Sequence, residues 1–344
     1  MKEVKKENRS TMRYLLLSVL VVCVIGVMIP SVFAQNPADM SPAQMFQQCE
    51  RAGGVIVFDD YGYPSCKLGQ QAYVQQQLDR QYQQKAQVEA LFEFVGYAVI
   101  IIVATVTPDH FAPSTAALVQ NNIGASNAWG FDLSGACTGY LYGLETGSKF
   151  ISCGKYSKVM VIGVDTMSSI LDFTDRNTCV LFGDGAGAAV VTASDEPGIL
   201  STHIHADGGY GDLLYCNNGL RDQLGDFPEP QIVMRGNEVF KVAVKTLSSI
   251  VDETLEANNM TKDDIDWLIP HQANIRIIQA TAKKLGAGMD KVVVTVDKHG
   301  NTSSASIPLA MCEAIEDGRI KRGDICLLES FGGGFTWGSA LIKY

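Results

Sequence analysis

The stretch FDLSGACTGYLYGL, residues 131–144, runs from an apolar β-like segment into the first turn of a helical pattern, with Cys137 between the two. A strand that leads directly into a helix is a building unit of α/β folds. A cysteine at the start of a helix lies near backbone amide dipoles, which stabilise a thiolate and lower the pKa of the thiol. Taken alone, however, a cysteine beside Ala136 and Gly139 is more often a packed core residue than a nucleophile.

The same alternation of strands and helices extends outward from this stretch to the C-terminal end. Apolar, β-branched runs predict buried strands, and they lie at 98–109, 158–166, 187–194, 265–270, 291–296 and 325–334. Amphipathic patterns predict helices at 138–151, 237–258, 274–286 and 305–318. We therefore expect an α/β layered fold with buried sheets. Residues 98–109 also leave a second membrane span as an alternative, although Glu93 and the ending at Pro108 favour the strand.

The first 95 residues have a different character. A basic start leads into YLLLSVLVVCVIGVMIPSVFA, residues 14–34, which predicts that residues 1–34 are a signal peptide or a membrane anchor with membrane contact through 14–34. Residues 35–95 are polar and rich in glutamine and are interpreted as a segment of unknown fold. The sequence leaves open whether Cys49 and Cys66 form a disulfide, because it does not show their geometry.

Charge and cysteine spacing exclude several kinds of site. The formal net charge of −10 argues against nucleic acid as a partner, because phosphate binding requires a basic face. The nine cysteines are too few for a disulfide scaffold in 344 residues, and no Cys/His spacing typical of a metal site occurs after residue 95. His203 and His205 form a His-x-His pair without a carboxylate or cysteine nearby in the sequence. We therefore predict no metal site.

Three loops that follow predicted strands carry the residue types of an active site. His271 follows the strand at 265–270 in PHQANIRI, and Asn301 follows the strand at 291–296 in GNTSSASIP. The glycine turn in ESFGGGFTWG follows the strand at 325–334 and offers free backbone amides for an oxyanion. Each loop has an ordinary structural explanation, but cysteine, histidine, asparagine and a glycine turn at four strand ends together indicate catalysis.

From about residue 97 to 344 the sequence resembles β-ketoacyl-acyl-carrier-protein synthase III, a condensing enzyme of the thiolase superfamily. The resemblance is carried by DLSGACTGYLYG, DRNTCVLFGDGAGAAV, PHQANIRI, GNTSSASIP and FGGGFTWGSAL. It implies a thiolase-like fold of α-β-α-β-α layers. Residues 96–198 would then be an incomplete N-terminal half that carries the cysteine, and residues 199–344 a C-terminal half that carries the histidine and asparagine.

The resemblance also implies the chemistry. Cys137 would accept an acetyl group from acetyl-CoA, and His271 with Asn301 would activate malonyl-acyl-carrier protein for decarboxylation and condensation to acetoacetyl-acyl-carrier protein. The backbone amides of Cys137 and Gly333 would form the oxyanion hole. The resemblance implies no cofactor, and it implies that acetyl-CoA is a substrate in the initiation of type II fatty acid synthesis.

Further residues match family positions for substrate and carrier. Residues expected to line the CoA and pantetheine tunnel or the acyl pocket are Arg176, Asn237, Asn274 and Phe331. Residues expected to dock the acidic carrier protein are Lys241, Arg276, Lys283 and Lys284. The resemblance further implies a homodimer in the cytoplasm.

Other interpretations remain open at this stage. A related synthase that uses a longer or branched acyl starter is the alternative enzyme, since the pocket that selects the starter is not readable from one sequence. The N-terminal 95 residues match no motif of the family, and a signal-like or anchor segment conflicts with a cytoplasmic enzyme. A chimeric chain, or an inactive membrane-anchored remnant, is therefore the non-enzymatic alternative.

Overall fold

The computed structural model describes residues 17–20, 54–58, 64–68, 99–195, 198–217 and 231–344. The chain divides into two compact units, one formed by Met1–Val27 with Val95–Tyr344 and the other by Met28–Phe94. The described part of the smaller unit is an antiparallel hairpin of two five-residue strands, Gly54–Phe58 and Pro64–Leu68.

The strands of the described residues are β1 (Leu17–Leu20), β2 (Gly54–Phe58), β3 (Pro64–Leu68), β4 (Val99–Ala104), β5 (Trp129–Leu133), β6 (Lys158–Thr166), β7 (Asp184–Ala193), β8 (Ile199–Ala206), β9 (Leu214–Cys216), β10 (Ile232–Met234), β11 (Trp267–Pro270), β12 (Ile325–Gly332) and β13 (Thr336–Lys343). The helices are α1 (Thr115–Asn122), α2 (Gly139–Ser152), α3 (Gly236–Ala257), α4 (Ile275–Leu285), the single-turn α5 (Val296–His299) and α6 (Ser306–Glu316). Short 3₁₀ turns at Ala136–Thr138 and Ser303–Ala305 precede α2 and α6.

The first sheet has the strand order β1-β7-β6-β4-β5. Strand β4 lies inside it and runs parallel to both β5 and β6, whereas β7 is antiparallel to β6 and β1 is antiparallel to β7. The five residues from Ile100 to Ala104 are 0% exposed, as expected for an apolar strand covered on both faces. This pairing supports the strand predicted within residues 98–109 and contradicts the alternative of a membrane span there.

The second sheet has the strand order β11-β12-β13-β8 and is also mixed. Strand β11 is parallel to β12, and β13 is antiparallel to both β12 and β8. A separate two-stranded ladder joins β9 to β10. Strand β12 ends at Gly332, in the glycine turn predicted at the end of the run 325–334.

Helices α2 and α6 lie between the two sheets. Their apolar residues, such as Leu141 and Met311, share one buried cluster with Ile102 and Val161 of the first sheet and Leu328 of the second. Helices α3 and α4 cover the opposite face of the second sheet, and α1 packs against β4 and β5. The layers are therefore helix, sheet, helix, sheet and helix, so the predicted α/β layered architecture is confirmed.

One predicted strand is wrong. Residues 291–296 form no strand, because only Val292 makes a bridge, to Leu268, and a helical turn begins at Val296. The buried side chain of Gln272 forms backbone hydrogen bonds that a neighbouring strand would otherwise make. Its Nε2 donates to the carbonyl of Val293, and its Oε1 accepts from the amides of Thr295 and Val296.

The predictions for the N-terminal part fall mostly outside the described residues. Within the predicted signal or anchor segment at 1–34, only Leu17–Leu20 is described, as edge strand β1, and within the polar segment at 35–95 only the hairpin strands are described. No helix among the described ranges has both the length and the apolar character needed to cross a bilayer. The pairing of Cys49 with Cys66 also lies outside the described side chains, and the domain boundaries remain predictions.

Candidate active site

Cys137 lies in the 3₁₀ turn between β5 and α2 and is 8% exposed. The preceding residue, Ala136, has a φ of 48°, so the chain bends sharply and directs the cysteine toward the second sheet. The glycine turn after β12 meets it there: a Cβ added at Gly332 would lie 2.7 Å from the Cys137 amide nitrogen. The Ser330 hydroxyl donates to the carbonyl of Cys137 at 2.8 Å, which holds the two segments together.

The pKa of Cys137 differs from the expectation. The position before α2 predicts a lowered pKa, but burial raises the pKa of the thiol to about 12, and the Ser303 hydroxyl only partly offsets this rise. Desolvation, which penalises the charged form, is the largest cause of this rise. In this conformation the thiol is therefore protonated at neutral pH, and it needs a proton acceptor before it attacks an acyl group.

His271 follows β11 and is 5% exposed. Its backbone amide donates to the carbonyl of Glu329 at 2.8 Å, which continues the pairing of β11 with β12. Its Nδ1 atom lies 2.6 Å from the Ser306 hydroxyl at the start of α6. Burial lowers the pKa of the imidazole to about 3, so the ring is neutral at pH 7.

Asn301 is held by its backbone on one side and by its side chain on the other. Its amide donates to Leu181 at 2.8 Å, and its carbonyl accepts from Gly183 at 3.0 Å. The side-chain oxygen accepts from the amide of Ser303 at 2.9 Å. A Cβ at Gly183 would lie 2.3 Å from the carbonyl oxygen of His299. The first residue of the GDGAG stretch is therefore a glycine because the loop before Asn301 packs tightly against it.

These three residues open into one pocket of about 580 Å³. Of the residues predicted for the site, those that line the pocket are Cys137, Asn237, His271, Asn274, Arg276, Asn301 and Phe331. Those that do not line it are Arg176, Lys241, Lys283, Lys284 and Gly333. Arg176 is exposed next to Asn177, which does line the pocket, and a Cβ added at Gly333 would lie 3.8 Å from the Ala136 Cβ.

An aromatic group forms one wall of the pocket. Phe331 is 6% exposed and meets Phe335 edge to face, with ring centroids 4.5 Å apart. Phe335 is fully buried and stacks on Tyr210 at 5.2 Å. The predicted wall residue Phe331 is therefore fixed by a packed aromatic neighbour, and the pocket has a rigid apolar side.

The basic residues predicted to dock a carrier have different surroundings. Arg276 is exposed at the start of α4, lines the pocket and lies over the Phe240 ring at 5.0 Å. Lys284 forms an ion pair with Asp252 at 2.7 Å. Lys241 and Lys283 are exposed on α3 and α4. Arg276 is thus the one of these four cations that lies at the pocket itself.

Two sets of contacts were missed in the sequence, one at the site and one outside it. Ser303 and Ser306 lie in the quoted stretch GNTSSASIP, but serines in a turn before a helix usually act as caps, and nothing in the spacing assigned them to Cys137 and His271. The pair His203 and His205 has a carboxylate neighbour after all, because Glu253 of α3 lies 3.3 Å from the first and 2.9 Å from the second. A distant helix supplies it.

Comparisons with known proteins identify one family. The family described as 3-oxoacyl-[acyl-carrier-protein (ACP)] synthase III matches residues 131–208, and its C-terminal domain matches residues 255–344. The beta-ketoacyl-[acyl-carrier-protein] synthase III of Alkalilimnicola ehrlichii is 61% identical over 252 residues, which is 71% of this chain and 77% of the relative. The enzyme of the same name from Xylella fastidiosa strain 9a5c is 56% identical over 246 residues, or 71% and 76% of the two chains.

Solved structures show the same fold. The crystal structure of 3-oxoacyl-[acyl-carrier-protein] synthase III from Aquifex aeolicus is similar with a TM-score of 0.67 and 46% identity, and the match covers 71% of this chain and 77% of that one. This likeness confirms the thiolase-like fold. The matches leave about 95 N-terminal residues without a counterpart. The chain belongs to the 3-oxoacyl-[acyl-carrier-protein] synthase III family.

Proposed function

We propose that this chain condenses acetyl-CoA with malonyl-acyl-carrier protein, with loss of CO₂, to form acetoacetyl-acyl-carrier protein at the start of type II fatty acid synthesis. The observation that carries the proposal is the pocket into which Cys137, His271 and Asn301 all open. A nucleophile and two neutral hydrogen-bonding side chains around one cavity are the groups that acyl transfer and decarboxylation require.

In the first step, the Cys137 thiolate attacks the thioester carbon of acetyl-CoA, and the CoA thiolate leaves. The backbone amides of Cys137 and Gly333 are the proposed donors to the tetrahedral oxyanion. The closeness of the glycine turn to the cysteine turn supports this role, since the added Cβ at Gly332 would contact Cys137. The product of this step is an acetyl thioester on Cys137.

In the second step, malonyl-acyl-carrier protein loses CO₂ and forms an enolate. A neutral His271 whose Nδ1 accepts from the Ser306 hydroxyl carries its hydrogen on Nε2, which then donates to the enolate oxygen. The Asn301 side-chain oxygen is occupied by the Ser303 amide, so its NH₂ group is directed away from that contact and is available as the second donor. The enolate carbon attacks the acetyl thioester and releases Cys137.

Substrate binding follows from the lining of the pocket. Asn237, Asn274 and Arg176 are proposed to bind CoA and pantetheine, and Phe331 to keep the charged malonate carboxylate unfavourably solvated. The acidic carrier is proposed to dock on Lys241, Arg276, Lys283 and Lys284. The reaction draws on thioester chemistry alone and needs no cofactor. We further propose that the enzyme acts as a homodimer in the cytoplasm, where its substrates are made.

The test is mass spectrometry of the purified full chain after incubation with acetyl-CoA. We expect an acetyl adduct on Cys137 that is absent in Cys137→Ser. His271→Ala and Asn301→Ala should still accept the acetyl group but fail to release CO₂ from malonyl-acyl-carrier protein. A preference for a longer or branched acyl-CoA would show that acetyl-CoA is not the starter. The absence of an adduct with any acyl-CoA would overturn the proposed function.

A further inference from the structure

Asp165, near the end of β6, has a buried carboxyl group that the steps above do not use. It is 0% exposed. Its Oδ1 accepts from the Val106 amide at 2.7 Å and from the Thr105 and Thr107 hydroxyls at 3.1 and 3.3 Å. A buried carboxyl group is costly unless both of its oxygens are hydrogen-bonded. The partners of the second oxygen therefore decide what this residue holds in place.

The second carboxyl oxygen, Oδ2, binds the turn that precedes α6. It accepts from the Ser304 amide at 3.1 Å and lies 2.8 Å from the Ser304 hydroxyl. That hydroxyl also lies 2.8 Å from the carbonyl oxygen of Ala104, and its single hydrogen can be donated to one of the two. Ser304 is 1% exposed. Asp165 thus connects the first sheet to a turn that lies 139 positions later in the chain.

The turn around Ser304 packs directly against backbone of the half that carries Cys137. A Cβ at Gly163 of β6 would lie 2.3 Å from the carbonyl oxygen of Ser304, and a Cβ at Gly139 of α2 would lie 3.6 Å from the Ser304 Cβ. The preceding residue, Ser303, has a φ of 51°, which is rare for a residue with a side chain. Ser304 is therefore the point at which this turn is attached to the first sheet.

Both proposed donors to the enolate are attached to the same turn. The side-chain oxygen of Asn301 accepts from the Ser303 amide at 2.9 Å, one residue before Ser304. The Nδ1 atom of His271 lies 2.6 Å from the hydroxyl of Ser306, two residues after Ser304. A displacement of the turn would therefore move both donors together.

We propose that Asp165 is a positioning residue for the decarboxylation step. Through Ser304 it holds the turn at the distance from the first sheet at which His271 and Asn301 reach the enolate oxygen. It acts through the turn, because neither Asp165 nor Ser304 lines the pocket. Donors that are fixed before the charge develops need no rearrangement during the reaction, and this raises the rate of the step that uses them. Acetylation of Cys137 uses other donors and does not depend on Asp165.

The inference rests on the proposed function, because that function assigns the two donors. The experiment therefore measures the two chemical steps separately in the full chain. Mass spectrometry gives the rate of acetyl adduct formation on Cys137 from acetyl-CoA, and CO₂ release from malonyl-acyl-carrier protein gives the rate of the second step. Hydrogen–deuterium exchange of a peptide that contains residues 301–306 measures the turn without any substrate.

Asp165→Asn replaces one carboxyl oxygen with an NH₂ group, which cannot accept a hydrogen bond. Three donors face Oδ1 and Ser304 alone faces Oδ2, so the NH₂ group should face Ser304. We expect CO₂ release to slow about a hundredfold, because a buried donor is left unpaired. The KM for malonyl-acyl-carrier protein and the rate of acetylation should remain close to the wild-type values. Deuterium uptake in residues 301–306 should increase.

Ser304→Ala removes the hydroxyl and keeps the backbone amide, so CO₂ release should slow about tenfold. The double variant should be about as slow as Asp165→Asn alone, because both substitutions break the same link. Thr107→Ala is the matched control: its hydroxyl donates to Oδ1 of the same carboxyl group and accepts from the Thr166 amide. It should keep both rates and the deuterium uptake of residues 301–306.

Far-UV and near-UV circular dichroism identify a variant that fails to fold, and Ser304→Ala carries the test if Asp165→Asn does. Equal loss of acetylation and CO₂ release, wild-type CO₂ release in the folded variants, or unchanged deuterium uptake in residues 301–306 overturns the positioning role. A wild-type chain that forms no acetyl adduct instead overturns the proposed function. Deuterium exchange then still shows whether Asp165 holds the turn.

Discussion

The Nδ1 atom of His271 lies 2.6 Å from the Ser306 hydroxyl of α6, and the role proposed for Nε2 as a donor requires Nδ1 to accept this hydrogen bond. Ser306→Ala leaves the ring free to adopt the other tautomer. We expect condensation to slow about tenfold, which corresponds to one lost hydrogen bond, while acetylation of Cys137 is unchanged. Release of CO₂ and the acetyl adduct, measured on the same samples, separate the two steps. Ser306→Thr retains the hydroxyl and should recover most of the rate; equal loss in both variants would contradict this role.

The glycine turn after β12 leaves no room for a side chain near Cys137. A methyl group at position 332 would lie 2.7 Å from the Cys137 amide and 3.1 Å from its Cβ. Gly332→Ala should therefore lower the free energy of unfolding by about 1–3 kcal/mol, as overpacking does, and should slow acetylation. Thermal unfolding and the adduct yield measure the two effects. Gly208→Ala is the control, because an added Cβ there meets no atom within 4 Å; a Gly332→Ala chain as stable as this control would contradict the close approach.

Glu329 makes the stability of the chain depend on pH. Its carboxyl is 0% exposed and neither of its oxygens has a hydrogen-bond partner among the described residues, and burial raises its pKa to about 8. Since the pKa in the folded chain is above the unfolded value of about 4.3, the folded chain binds the proton more tightly. This contribution is complete below the unfolded pKa and is lost as pH rises toward 8.

The variant Glu329→Gln cannot ionise, so its stability relative to the wild type should increase from pH 4.5 to pH 8 by about 1.4 kcal/mol per pH unit at most. Urea unfolding at a series of pH values gives the difference in unfolding free energy between the two chains. The change of this difference with pH does not contain the constant cost of burying the amide. Asp317→Asn is a useful contrast, because that exposed carboxyl pairs with Arg319 and its pKa is lowered. A constant difference between Glu329→Gln and the wild type over this range would show that Glu329 is ionised in the folded chain.

Arg276 lies at the pocket and beside the proposed docking face, so its charge should act on the carrier-bound substrate. Arg276→Glu places a negative charge before an acidic partner and should raise the KM for malonyl-acyl-carrier protein about tenfold. Acetylation by acetyl-CoA at saturating concentration should be much less affected. The KM difference should shrink as salt increases, because ions screen exposed charges. Lys321→Glu reverses an exposed charge outside the predicted docking face and should leave KM unchanged; an equal effect in both variants would indicate a general charge effect.

The elements that the sequence predicted well are those with a repeated pattern. The run Ile100–Ala104 and the helix that became Gly236–Ala257 each show their burial in the order of apolar residues. Residues 291–296 show the same apolar pattern, yet only Val292 and Val293 pair with β11, and the Gln272 side chain binds the carbonyl of Val293 and the amides of Thr295 and Val296. The order of apolar residues indicates which positions are buried, but it does not indicate which groups form the backbone hydrogen bonds.

The sequence predicted the residues whose side chains are themselves reactive, and it predicted less well the residues that hold or surround those side chains. Cys137 and His271 lie after strands as predicted, whereas Asn301 follows the helical turn α5 and not a strand; the structure brings all three to one pocket. The pKa of Cys137 was not predictable, because burial depends on the second sheet closing over the cysteine turn. The Asp165 carboxylate and the Ser304 hydroxyl, which form a hydrogen bond of 2.8 Å, lie 139 positions apart in the chain, and no local spacing relates them.

Cys137 comes from the connection between β5 and α2, whereas the segments that cover it, the Ser303 turn and Gly332, come from the later part of the chain. The resistance of this thiol to ionisation is therefore a property of assembly. If the two sheets separate even briefly, the cysteine returns to water and to an ordinary thiol pKa of about 8.5. The rate at which the Cys137 thiol reacts therefore also indicates whether the two sheets are packed together.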